Sequence, residues 1–165
     1  MRLPDLAGRQ VEPLRDAGAK AVVFLFTRTD CPVSNRYAPE VRRLYQEFAP
    51  RGITFYLVYP DRDASVETIR QHLKEYQYEL SVLRDPEHNL VKLTGVRVTP
   101  EAAVFLPDGR MVYRGRIDDR YVAFGKMRPA PTTRDLEEVL AAILAGRSVT
   151  DKTTTAVGCF IADLR

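Results

Sequence analysis

Ala21-Val22-Val23-Phe24-Leu25-Phe26-Thr27-Arg28-Thr29-Asp30-Cys31-Pro32-Val33-Ser34 runs from a six-residue apolar block into a lone thiol. A continuous apolar run of this length reads as a strand covered on both faces. Cys31 therefore stands where a buried strand gives way to a helix. A helix N-terminus carries partial positive charge and favours thiolate over thiol. The thiolate is the form that attacks disulfides and peroxides, so this address points to redox chemistry. A buried, inert cysteine is the plain alternative.

Downstream, Val41, Leu44, Tyr45 and Phe48 form a helical stripe. Pro39 lies inside it and is expected to kink the helix, which Pro50 and Gly52 end. Ile53 to Tyr59 reads as a second strand. Ser65 can cap a helix through about Tyr76, with Val66, Ile69 and Leu73 inward. Leu80 to Leu83 is a short strand, and Asp85-Pro86 suits a helix start, the acid as cap and the proline in the first turn. That helix is expected to end near Gly95. Ala102 to Leu106 and Met111 to Ile117 pair as a hairpin across Pro107-Asp108-Gly109-Arg110. Residues 133 to 145 form the last clear helix, with Thr133 as cap and Gly146 closing it. Residues 3 to 14 read as a leading hairpin with Gly8 near its turn. The pattern is an α/β domain over residues 1–146 with a mixed central sheet flanked by helices. Residues 147–165 are a tail, Thr-rich at 153 to 155, that carries Cys159.

The chain has 165 residues, enough for one domain with a proper core. Its hydrophobic share of 45% and charged share of 28% are those of an ordinary globular protein. Net charge is +3, from 25 basic and 22 acidic residues spread along the chain, so no nucleic-acid partner is expected. No apolar run approaches the roughly 18 residues of a membrane span. Met1-Arg2-Leu3-Pro4-Asp5 lacks the apolar region of a signal peptide. The expectation is a cytoplasmic protein, or the mature form of an exported one. With Cys31 and Cys159 as the only cysteines, a disulfide scaffold and a four-cysteine zinc site are ruled out. His72 and His88 show no ligand spacing and are expected on the solvated surface. No metal and no cofactor are expected.

The ordered motifs resemble the thioredoxin-like superfamily. Cys31-Pro32-Val33-Ser34 stands where that group carries Cys-x-x-Cys, and Ala38-Pro39 falls at the matching offset in the following helix. Val98-Thr99-Pro100, before the apolar run Ala102 to Phe105, resembles the cis-proline loop that faces the reactive cysteine. Tyr113-Arg114-Gly115 resembles the strand-and-glycine ending of the redoxin branch. The interval between Cys31 and Pro100 has room for the extra strand-helix unit of redoxins. That group includes alkyl hydroperoxide reductase/thiol-specific antioxidant proteins and cytochrome-maturation thioredoxins. The resemblance covers roughly residues 3 to 145. Three features depart from it. Ser34 replaces the second cysteine, the chain has no tryptophan, and Arg28 and Phe24 stand where a peroxiredoxin signature has Thr and Pro. A standard peroxiredoxin site is therefore not expected.

The resemblance implies Cys31 as nucleophile and Thr99-Pro100 as the edge on which an extended peptide docks. Attack on a peroxide gives a sulfenic acid and attack on a disulfide gives a mixed disulfide. Either product needs a resolving thiol, and Cys159 is the internal candidate, in the apolar setting Ala156-Val157-Gly158-Cys159-Phe160-Ile161. The tail docks back onto the domain in this reading; otherwise it is an added edge strand with a buried cysteine, and an external thiol resolves. Ser34 can donate to the thiolate or cap the helix. Pro32, Arg28 and Arg36 flank the site, and the arginines either lower the thiol pKa or keep the surface soluble, while Asp30 opposes them. Asp118-Asp119 is a polar turn or a cation site.

Three functions follow from these residues. The leading one is a thiol-dependent oxidoreductase acting on a protein or small-molecule disulfide, with an external thiol reductant. The others are a divergent peroxidase acting on peroxide and a redox-inactive module that binds peptide along the proline loop.

Overall fold

The computed structural model describes residues 1–16 and 18–162. Two short strands, β1 (Leu3–Pro4) and β2 (Gln10–Val11), form the expected leading hairpin, with Gly8 at φ +81° in its turn. Then come β3 (Ala21–Phe26), α1 (Pro32–Arg36), α2 (Ala38–Phe48) and β4 (Ile53–Tyr59). The middle of the chain supplies α3 (Val66–Glu75), β5 (Ser81–Arg84), α4 (Asn89–Thr94) and the two-residue β6 (Val98–Thr99). After these follow β7 (Glu101–Phe105), β8 (Met111–Gly115), a small hairpin of β9 (Tyr121–Ala123) and β10 (Lys126–Met127), and α5 (Asp135–Leu144). Two short tail strands complete the described chain: β11 (Lys152–Thr153) and β12 (Cys159–Phe160). The last tail residues, 163–165, lie outside the described residues.

The central sheet has the order β11-β8-β7-β3-β4-β5. β3 pairs parallel with β4 and antiparallel with β7, so the sheet is mixed, as expected. All six residues of β3 are buried because both of its faces are covered. Side chains alternate across a strand, and the two faces collect different partners. Val23 and Leu25 pack with Leu44 and Phe48 of α2, Ile69 of α3 and Leu136 and Leu140 of α5. Val22, Phe24 and Phe26 pack with Leu3 and with Leu90 and Val91 of α4. Each such fully buried side chain contributes about 1.5–3 kcal/mol relative to exposure. β4, α3, β5 and α4 fill the interval between Cys31 and the proline loop, two strand-helix units that include the extra one the sequence left room for.

Local expectations shift at three helix starts. The helix after Cys31 is two helices broken at Tyr37, not one kinked helix. Pro39 has no N–H to give the carbonyl four residues back, and its ring would crowd that carbonyl, so the chain restarts with Pro39 in the first turn of α2. Asp85 does cap α4, but from further away than Asp85-Pro86 suggested. Its oxygens accept the Asn89 and Val91 amides at 2.8 and 2.9 Å, across a turn in which His88 takes φ +57°. Thr133 does not cap α5. Its amide instead donates to Asp119 at 2.9 Å, and α5 begins at the buried Asp135, which the Arg116 guanidinium holds at 2.8 Å.

The tail is tied to the domain at two places, one on the central sheet and one on a separate two-stranded sheet. β11 runs parallel to β8, where the Thr154 hydroxyl accepts the Arg116 amide at 3.1 Å and meets the Tyr113 hydroxyl at 2.7 Å. β12 pairs antiparallel with β6, in the register Cys159 opposite Thr99. Beyond it, Ile161 is buried in the core cluster under Phe24, and its amide donates to the Arg97 carbonyl at 2.9 Å.

Candidate active site

Cys31 sits at the end of β3 as the N-cap of α1. Its sulfur accepts the Ser34 amide at 3.4 Å and its thiol donates to the Thr99 carbonyl at 3.1 Å. The Thr99–Pro100 peptide is cis, as the resemblance implied, and lies against the thiol. Cys159, brought in by the β12–β6 pairing, is the thiol neighbour of Cys31. Two cysteines far apart in sequence thus meet across the proline loop, and both are free thiols here.

The electrostatics of the pair are unequal. Burial pushes the Cys31 thiol up, but hydrogen bonding with Cys159, with the Ser34 hydroxyl and amide, and with Thr99 outweighs it, so the pKa is lowered. Cys159 is pushed up to about 12, first by burial and then by Cys31 itself. One proton shared between neighbouring thiols separates their titrations in this way.

Several expectations about the surrounding residues change. Ser34 is not a cap: it lies inside α1, and Cys31 caps the helix instead. Among the described residues the buried Ser34 hydroxyl has no hydrogen-bond partner, which leaves it free to turn toward the Cys31 sulfur. Arg28 is held by Asp30 at 3.2 Å and donates to the Phe160 carbonyl at 3.3 Å, so it clips the tail strand in place. Arg36 points away, to the Met127 sulfur at 3.7 Å. Hydrogen bonds, rather than the two arginines, lead the lowering of the Cys31 pKa. Pro32 is exposed on the first turn of α1. Cys31 is only 1% exposed. The thiol is covered, because the tail strand occupies the edge beside the cis-proline.

The two histidines are the clearest correction. Neither is on the surface: His72 is 4% exposed and His88 is 2% exposed. His88 Nε2 meets the Pro60 carbonyl at 2.9 Å. The His72 ring joins the Tyr59 hydroxyl to Asn35 Oδ1, at 2.7 Å each, and Asn35 Nδ2 donates to the Thr29 carbonyl at 3.1 Å. If Nε2 carries the proton toward the Asn35 oxygen, Nδ1 accepts from Tyr59, which requires neutral imidazole. This chain links α3 to the turn that presents Cys31. Helical periodicity placed Ile69 and Leu73 inward, and His72 shares their face; that spacing was the available signal.

Burial lowers the His72 pKa, with Glu75 opposing. As pH falls through about 6.5, the unfolded chain binds a proton that the folded chain resists, so stability declines. In urea titrations, the stability of wild type minus that of His72→Gln is expected to fall between about pH 7.5 and 5.5. A pH-independent difference would refute this.

On the other side of α1, the Tyr37 hydroxyl donates to Asp118 at 2.5 Å, and Asp118 also accepts the Arg120 amide at 2.9 Å. Asp119 accepts the Thr132 and Thr133 amides at 2.7 and 2.9 Å. The Asp118-Asp119 segment is thus a hydrogen-bonded turn that braces the break between α1 and α2. Among the described residues no group of three or more His, Cys, Asp or Glu side chains is arranged to hold a metal ion. None of the described helices is long and apolar enough to cross a membrane.

A mixed sheet with a cis-proline facing a cysteine at the end of its central strand defines the thioredoxin-like fold, and the solved structures agree. A hypothetical protein from Sinorhizobium meliloti 1021 superposes with a TM-score of 0.82 at 23% identity, covering 98% of this chain and 89% of that one. A secreted Mycobacterium tuberculosis disulfide oxidoreductase homologous to Escherichia coli DsbE superposes with a TM-score of 0.59 at 18% identity, covering 88% of this chain and 95% of that one. The chain belongs to the AhpC/TSA family, whose profile matches residues 1–114. Among curated proteins it is 26% identical over 110 residues to the thiol-disulfide oxidoreductase ResA of Halalkalibacterium halodurans. That match takes in 67% of this chain and spans 61% of the length of the relative.

Proposed function

We propose that the protein is a thiol-disulfide oxidoreductase in which Cys31 is the nucleophile and Cys159, on the tail, is the resolving thiol. The observation that carries this reading is the pairing of Cys159 opposite Thr99, which sets its thiol against Cys31. The ResA relative, a thiol-disulfide oxidoreductase by name, supports the chemistry.

In this reading the Cys31 thiolate attacks a substrate disulfide, forms a mixed disulfide and expels one substrate thiol. Cys159 then attacks the Cys31 sulfur and releases the second substrate thiol, leaving a Cys31–Cys159 disulfide. An external thiol reductant returns both cysteines to the reduced form. The raised pKa of Cys159 does not block the second step. Part of its elevation comes from Cys31, and that part disappears once Cys31 is bonded to sulfur. Ser34 assists by hydrogen bonding to the thiolate. Thr99 and Pro100 supply the backbone edge, which substrate can use only when residues 158–160 leave it. Arg28, bonded to the Phe160 carbonyl, is the clip that must open. Residues 147–165 then act as a resolving arm on the domain of residues 1–146.

A peroxide is the second substrate class, and the burial of Cys31 favours it in one respect: a molecule that small needs less displacement of the tail. Oxidised glutathione and hydrogen peroxide, added separately to reduced protein, distinguish the two. Both free thiols are expected to disappear with oxidised glutathione, with an intact mass lower by two hydrogens and no retained glutathione. Persistence of both thiols, or a stable glutathione adduct on wild type, would overturn the internal pair. Faster loss with peroxide than with the disulfide would assign a peroxidase.

A further inference from the structure

The two sulfurs of a Cys31–Cys159 disulfide are not equivalent to an incoming thiol. Cys31 is sealed at 1% exposure, between the Thr99 carbonyl and the Ser34 amide. Cys159 is half-buried and lines an apolar cavity of about 700 Å³. Arg97, Glu101, Arg114, Phe124 and Phe160 are among the other walls of this cavity, and Cys31 takes no part in its lining. Displacement at sulfur is in line, so attack on Cys159 must come from the side opposite Cys31. Attack on Cys31 would have to arrive through the core.

Building on the internal disulfide proposed above, we propose that the external thiol reductant enters this cavity and attacks the Cys159 sulfur, with Cys31 as the leaving group. The bond between the external sulfur and Cys159 forms as the Cys31–Cys159 bond breaks. The electron pair of the broken bond departs on Cys31 as a thiolate, which the Ser34 amide receives. A second external thiolate, from a dithiol or another monothiol, then attacks the external sulfur of the mixed disulfide. Cys159 leaves, takes a proton, and the reductant departs as a disulfide. Two electrons pass from the reductant to the protein.

The same hydrogen bonding supports this direction. The thiol of lower pKa leaves faster in such exchanges. The hydrogen bond from Cys159 is lost once that sulfur is in the mixed disulfide, but the Ser34 amide, 3.4 Å from the Cys31 sulfur, remains to lower its pKa and receive the departing thiolate.

The test begins with the full chain oxidised to the internal disulfide, verified by loss of both free thiols. The protein is treated briefly with 2-mercaptoethanol, quenched in acid, blocked with N-ethylmaleimide and mapped by peptide mass spectrometry. The 2-mercaptoethanol adduct is expected on Cys159, with the maleimide on Cys31, in about tenfold excess over the reverse. An adduct mainly on Cys31, or shared equally, overturns the direction of attack. A protein that never closes the disulfide refutes the function proposed above instead, and the first step detects that. For the route, Ala156→Leu narrows the cavity wall. It is expected to slow reduction by glutathione more than reduction by 2-mercaptoethanol. Equal rates with wild type for both thiols overturn the cavity as the entrance.

Discussion

Replacing Cys31 by serine is expected to lower thiol-disulfide turnover by about a thousandfold or more while leaving the fold intact, since the remaining thiol, Cys159, is kept protonated by burial and has no second cysteine with which to close a disulfide. The fold survives because of what Cys31 does locally. Its side chain caps α1 by accepting the Ser34 amide, and a serine hydroxyl is among the best acceptors for that role. The unfolding midpoint of Cys31→Ser should therefore stay close to that of wild type. Cys159→Ser gives a different outcome. The first exchange still proceeds at Cys31, but the mixed disulfide has no internal resolver and accumulates as a covalent adduct visible by intact mass. Steady-state reduction of a protein disulfide, followed beside the adduct mass, separates the two variants. Full turnover by Cys31→Ser would remove the thiol from the mechanism altogether.

Gly158→Ala is expected to slow closure of the internal disulfide by about a hundredfold, the scale of a 1 Å misplacement of reacting groups. A Cβ at this position would overlap the Thr99 carbonyl oxygen and stand 2.6 Å from its carbonyl carbon and 3.1 Å from the Pro100 nitrogen. These are backbone atoms in the cis-proline turn and cannot swing aside like the end of a side chain. The tail strand has to move instead, and Cys159 is the next residue. Global stability should fall by no more than about the 1.5–3 kcal/mol of burying Ile161, the core contact that follows the two-residue β12. Stopped thiol labelling during oxidation reads the closure rate directly. Closure by Gly158→Ala at the wild-type rate would show that the register of Cys159 opposite Thr99 is not what brings the sulfurs together.

Much of this site was legible because its signals are local. Cys31 at a strand end, Thr99-Pro100 before an apolar strand and a mixed sheet could be read from runs and spacings a few residues long. The misreadings have local causes as well. Pro39 reads as a kink, because the pattern of Val41, Leu44 and Phe48 says where a helix faces but not where it restarts. Thr133 fits a cap by residue type, yet Asp119 holds its amide in a turn and the helix starts two residues later, at Asp135. The polar neighbours of the two histidines point to solvent. Burial of a polar ring depends on partners such as Tyr59 and Asn35, which arrive from other elements.

The amino-acid order alone determined the strands and helices, the thiol at the end of β3 and the proline loop, since periodicity and turn chemistry act between near neighbours. Only the tertiary structure decided that the tail strand pairs with Val98–Thr99, that Cys159 lies against Cys31, and that the nucleophile is covered. Those outcomes depend on contacts between distant residues, such as Cys31 with Thr99 and Arg28 with Phe160, which form only when the sheet brings its edges and the tail together.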